Sequence, residues 1–217
     1  MAGNRSTRIP PLGLGADLRV PERPRGLVIF AHGSGSSRLS PRNQWVAEAL
    51  VRAGYATLLF DLLTEDEAAR RANVFDIELL SERLVDAIDW AAVEPELAGV
   101  PIGLFGASTG AAAALKAAVA RPGEVKTVIS RGGRPDLALD AAPKVKVPTL
   151  LIVGGRDEPV LSWNRVAARE LAGPASVEVV AGATHLFEEP GALNEVVRLA
   201  VDWCDGHLAT AAVVAPR

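Results

Sequence analysis

Six short apolar runs recur along the chain: Gly26–Ala31, Tyr55–Phe60, Val100–Phe105, Val125–Ser130, Pro148–Val153 and Ser176–Val180. Each is bounded by glycine, proline or charged residues. The runs are continuous rather than alternating, the pattern of strands covered on both faces, as in parallel sheets. Between them, helical patterns fall near Ser40–Ala53, Phe75–Ala92, Thr109–Arg121, Leu161–Leu171 and Ala192–Leu208. Strand–helix alternation of this kind predicts an α/β protein: a mostly parallel, twisted sheet with helices on both faces. Ahead of the first run, Asp17–Val20 and Pro21-Glu22-Arg23-Pro24 read as a short strand and turn, placed at the sheet edge by the prolines. Gly13-Leu14-Gly15 reads as loop. Residues 1–15 are expected to form a mobile extension and 209–217 a fraying tail.

With 217 residues, the chain is read as a single domain, 1–217. A formal net charge of −3 gives no basic field for nucleic acid. No run reaches the roughly 18 apolar residues of a membrane span. No signal-peptide core follows Met1 either, so a cytoplasmic location is expected. The single cysteine, Cys204, excludes an internal disulfide framework, and with three histidines it argues against a dedicated metal site. Cys204 is expected to be a buried apolar residue.

The chemistry concentrates where strands end. Gly106-Ala107-Ser108-Thr109-Gly110 follows one apolar run and opens an alanine-rich helix, the strand–turn–helix context of a G-x-S-x-G nucleophile elbow. The alternative is a glycine-rich turn carrying an incidental serine. A serine hydroxyl needs a base, and the base an orienting acid. His185 follows the last apolar run, and Asp157 follows Pro148–Val153. The chain order Ser108, Asp157, His185 is that of a hydrolase triad on an α/β sheet. Asp136 is the competing acid, with a helix cap as its bland role. His207 reads as solvated or capping, and Glu65-Asp66-Glu67 as a solvated acidic loop. His32-Gly33-Ser34-Gly35-Ser36-Ser37-Arg38 lets backbone approach a ligand. Its Ser34 N–H is expected to join that of Thr109 in an oxyanion hole. His32 is expected to hold the loop by hydrogen bonds. The chain lacks the G-x-x-x-x-G-K-S/T phosphate loop and the G-x-G-x-x-G fingerprint.

HGSGSSR (32–38), GASTG (106–110), GGRDEPV (154–160) and GATHLFEEPG (182–191) together resemble the α/β-hydrolase superfamily, in particular its small, lidless dienelactone-hydrolase-like group. The similarity runs essentially from Gly26 to Leu208. It implies an α/β-hydrolase fold without a cap domain. The HGSGSSR and ATHLFEEPG loops further resemble a bacterial branch in which such domains occur fused to phosphoribosyltransferase-like domains, for which this length leaves no room. Dienelactone hydrolase proper carries a cysteine nucleophile where this sequence has Ser108, so the resemblance supports fold and reaction type better than a lactone substrate.

The expected reaction is acyl transfer to water. Ser108 attacks an ester, thioester or lactone, His185 is the base, and Asp157 is its orienter. It needs neither metal nor organic cofactor. Its only expected partner is a small acyl substrate, and monomer and homodimer remain open. The short connection before Pro148 leaves no space for a lid insertion, so an open site is expected. Arg38, Arg131, Arg134 and Arg156 all fall in loops at that edge and could clamp a substrate carboxylate bidentately; solvated surface arginines are the alternative. An amidase, peptidase or acyltransferase on the same triad is a second reading. A non-catalytic binding protein is a third.

Overall fold

The computed structural model describes residues 3–208. Six strands run parallel: β3 (Leu27–Ala31), β4 (Ala56–Phe60), β5 (Ile102–Ala107), β6 (Val125–Arg131), β7 (Thr149–Gly154) and β8 (Ala175–Val180). They match the six apolar runs, and every residue of β3, β4, β5 and β7 is buried. Two further strands, β1 (Gly3–Ile9) and β2 (Leu14–Val20), precede them. The order across the sheet is β1-β2-β4-β3-β5-β6-β7-β8.

The N-terminal segment corrects the sequence reading. Residues read as a mobile extension form an antiparallel hairpin, Gly3 opposite Val20 through Ile9 opposite Leu14. Asp17–Val20 is therefore not at the edge: β2 pairs antiparallel with β4, and β1 is the outer strand. Leu14 and Gly15, read as loop, belong to β2; only Gly13 turns, at φ 70°. In β2, Leu14, Ala16 and Leu18 are buried in alternation with Gly15, Asp17 and Arg19, the period of a half-covered strand. β1 is polar along nearly its whole length, so side-chain pattern could not announce it. Backbone pairing holds it, helped by Ser6 donating to Asp17 at 3.0 Å and by an Arg5–Glu94 ion pair. The tail 209–217 lies outside the described residues.

Helices cover both faces. α1 (Pro41–Arg52) and α6 (Ala192–His207) share a core with Phe30, Leu59, Phe105 and Ile152. On the other face, α3 (Ile77–Val93) and α4 (Thr109–Ala120) bury Leu80, Leu84, Ile88 and the alanines 112–114 against Ile29, Leu58 and Leu104. Small side chains on α4 bring that helix close to the sheet. α5 (Glu158–Glu170) starts three residues before the predicted helix because Pro159 suits a first turn. Glu65–Ala68 is a short helix, α2, rather than a solvated loop. Thr64 and Glu67 close a capping box, and Arg83 reaches Glu67 at 2.8 Å. Between β6 and β7 lie two one-turn segments, Pro135–Ala138 and Ala142–Lys144, a connection with no inserted domain.

Cys204 is buried in the α6 core, as expected, and burial pushes its thiol up to about 12. Tyr55 donates to Asp205 at 2.6 Å, and Arg25 pairs with the same carboxylate at 2.8 Å, tying α6 to the start of β4. Among the described residues, no helix is long and apolar enough to cross a membrane.

Candidate active site

Ser108 sits between the end of β5 and the first turn of α4, with φ 51° and ψ −121°. That left-handed backbone is costly for a residue with a Cβ and persists only where the surroundings enforce it. Three hydrogen bonds do so. The Ser108 N–H donates to the Arg131 carbonyl at 3.3 Å, and the Ser108 carbonyl accepts from Ala111 at 3.1 Å and Arg134 at 3.0 Å. Two glycines make the geometry possible. A Cβ on Gly106 would lie 2.4 Å from the Ala111 Cα, and one on Gly110 would lie 2.2 Å from the Ala31 carbonyl oxygen. The turn is thus wedged between β3 and its own helix with no room for side chains.

The loops after β7 and β8 are stitched together by backbone. Gly155 N–H donates to Val180 and Arg156 N–H to Ala183, each at 2.9 Å, while a Cβ on Gly154 would strike the Ala183 carbonyl at 2.5 Å. This contact brings His185 to Asp157: Nδ1–H donates to Oδ2 at 2.6 Å. The Asp157 carboxylate is mostly buried and the imidazole part-exposed. With Nδ1 carrying the proton, Nε2 is left as an acceptor. Asp157 occupies the N-cap position of α5 yet makes no side-chain cap bond, so its carboxylate is spent on His185 instead. Asp136 is not free to compete. Arg134 grips it through two bonds of 2.8 Å.

The loop after β3 completes the edge. Gly33 packs against the Ser108 turn, where a Cβ would come within 3.0 Å of the Ser108 Cβ. Ser34 and Thr109 are brought together, but not as two free donors: the Ser34 N–H donates to the Thr109 hydroxyl at 3.0 Å. The Thr109 N–H, in the first turn of α4, is among the amides a helix leaves unpaired. His32 is 9% exposed and bridges two strand ends. Its Nδ1–H donates to the Gly33 carbonyl at 3.0 Å, and its Nε2 accepts from Leu62 N–H at 3.1 Å. Burial lowers its pKa below the ordinary 6.5, which fits a neutral ring with both nitrogens engaged.

As pH falls below 6.5 the unfolded chain takes up the His32 proton before the folded one does, so the stability this group contributes is complete above that value and lost toward the depressed folded pKa. Urea unfolding at about pH 7.5 and about pH 5 should show a smaller acid loss in His32→Gln than in the wild type. An equal loss in both proteins would remove His32 from the account.

Residues 14–202 match the dienelactone hydrolase family. The chain belongs to that family. A crystal structure of a dienelactone hydrolase from Anabaena variabilis ATCC 29413 superposes with TM-score 0.91 at 50% identity, covering 96% of this chain and 98% of that one. The esterase domain of a Rhodothermus marinus protein superposes with TM-score 0.75 at 21% identity, covering 96% of this chain and 100% of its own, a likeness of fold. A Mycobacterium tuberculosis protein (strain H37Rv) described as "Putative phosphoribosyl transferase" is 59% identical over 198 residues, which are 91% of this chain and 45% of that protein. The chain therefore spans about half the length of the curated relatives it matches.

In this dienelactone hydrolase family member the four arginines at the carboxyl edge differ sharply. Arg38 is tied to Asp61 and Asp17, and Arg134 to Asp136 beneath the Trp163 ring. Arg156 is exposed on the loop before Asp157, with Glu189 nearby. Arg131 is buried at the end of β6. Sequence reasoning missed Asn164, fully buried on α5, whose side-chain amide donates to Gly133 at 2.9 Å and to Val160 at 2.8 Å. It steadies the Gly132-Gly133 turn, where a Cβ on Gly132 would meet the His185 carbonyl oxygen at 3.1 Å. The signal was available: Asn164 falls in the buried helical stripe with Val160 and Ala167, where a polar residue needs a reason.

Proposed function

We propose that this chain is a serine hydrolase that cleaves ester, thioester or lactone bonds of small, accessible substrates through an acyl-enzyme on Ser108. The observation that carries the reading is the 2.6 Å bond from His185 to Asp157, set at the same sheet edge as the strained Ser108 turn. The Ser108 Oγ attacks the carbonyl carbon as its proton passes to His185 Nε2. The imidazolium then gives that proton to the leaving alcohol or thiol. Water, deprotonated by the same nitrogen, releases the acid and restores the serine. The buried Asp157 carboxylate holds the ring and stabilises its cation.

The oxyanion is received by the Thr109 and Ser34 N–H groups. The present acceptor of Ser34 is a neutral hydroxyl, and a developing oxyanion is the stronger, charge-assisted acceptor. That exchange becomes favourable as charge appears, so the bond is worth more in the transition state than in the ground state. A cavity of about 380 Å³ walled by Gly33, Ser34, Leu39, Leu62 and Val74 adjoins this loop and takes the apolar part of the substrate. The transferase name of the mycobacterial relatives belongs to proteins of which the aligned residues are 45%.

A fluorophosphonate probe tests the reading. One adduct per chain, on the peptide carrying Ser108, is expected. Absence of labelling in the folded protein overturns it.

A further inference from the structure

Arg131 presents an unusual electrostatic situation. The residue is 8% exposed, its Nη1 is buried without a hydrogen-bond partner, and no carboxylate pairs with it among the described residues. Desolvation lowers its pKa to about 10, and the charge of Arg42 adds to that effect. Arg42, at the start of α1, carries a second orphan: its Nε is buried without a partner, while its Nη1 bonds Glu188 at 3.0 Å. Two arginines whose charges oppose each other, each with a buried donor that has no hydrogen-bond partner, are expensive unless an anion joins them. Glu188 is largely exposed, so water screens its balance of that pair.

The place matters as much as the charge. The Arg131 carbonyl holds the Ser108 N–H, and the next residue, Gly132, packs against His185. An anion bound here would belong to a molecule lying on the nucleophile edge. A carboxylate matches one guanidinium fork with its two oxygens and a single charge. A phosphate monoester brings a charge near −2 and three acceptor oxygens, enough for donors from two different elements. We propose that Arg131 and Arg42 form a subsite for the phosphate group of a phosphorylated acyl substrate beside Ser108. This deepens the ester-hydrolase reading and rests on it for the identity of the scissile bond.

The test has two arms on the full chain. In the first, inorganic phosphate is titrated calorimetrically into the wild type and into Ser108→Ala, where turnover plays no part. Saturable binding is expected in both, weakened at least tenfold by Arg131→Gln and by Arg42→Gln, with partial recovery in Arg131→Lys. Should Arg131→Gln fail to fold, Arg42→Gln and Arg131→Lys decide the matter. In the second, kcat/KM is compared for p-nitrophenyl esters whose acyl chains end in a phosphate, a carboxylate or a neutral isostere. A phosphate-to-neutral ratio of at least ten is expected, falling toward one in the arginine variants. No phosphate binding, binding indifferent to both arginines, or a carboxylate ester preferred over the phosphate ester overturns the subsite. Arginine-dependent phosphate binding in a protein that turns over no ester supports the subsite and removes the hydrolase reading instead.

Discussion

Ser108→Ala is expected to lower kcat/KM for p-nitrophenyl esters by about 10⁵-fold or more, the loss seen when the nucleophile of a cooperating triad is removed. That corresponds to about 7 kcal/mol of barrier. The expectation depends on the turn as much as on the hydroxyl. At φ 51° the backbone is held in a costly conformation, and its amide and carbonyl are already pinned by Arg131, Ala111 and Arg134. Removing one oxygen should leave that frame standing, so thermal stability is expected within about 1 kcal/mol of the wild type, the range of a small change away from the core. Residual activity should come only from oxyanion donors and substrate positioning. A stable Ser108→Ala protein retaining a tenth of wild-type turnover would show that the chemistry runs elsewhere.

What could be read in advance divides along physical lines. The parallel core was legible because burial on both faces writes itself as unbroken apolar runs, and β3, β4, β5 and β7 are buried throughout. The elbow was legible because its steric demands restrict residue type: only glycine fits at 106 and 110. The N-terminal hairpin was not, because β1 is held by backbone pairing with β2, and main-chain hydrogen bonds leave no signature in residue type. Arg38 and Arg134 looked equivalent to Arg131 along the chain. Only their carboxylate neighbours, Asp61 and Asp136, distinguish them, and of these only Asp136 lies close in sequence. The Ser34 amide taken up by Thr109 is the same kind of surprise, a contact across 75 residues. Loops after strands advertise which residues meet at an edge. They do not advertise which donors are already spent.

Asp157→Asn is expected to reduce kcat by about 10⁴-fold, while Asp136→Asn changes it by less than about tenfold. The two carboxylates follow neighbouring strands, yet they do different work. Asp157 accepts from the His185 Nδ1–H at 2.6 Å from a mostly buried position, so an amide there offers the ring a donor as readily as an acceptor and loses the charge that stabilises the imidazolium. The flipped tautomer would place the proton on Nε2, where it cannot accept one from Ser108. Asp136 faces Arg134 through two bonds of 2.8 Å, and Arg134 in turn lies over the Trp163 ring. Breaking that half-exposed pair costs stability on the order of 1 kcal/mol and leaves the histidine untouched. Steady-state kinetics on both variants, with circular dichroism to establish that each is folded, separates the assignments. Equal losses would mean that the acid does not act through His185. A larger loss in Asp136→Asn would move the orienting carboxylate to the strand before, and with it the geometry of the whole site.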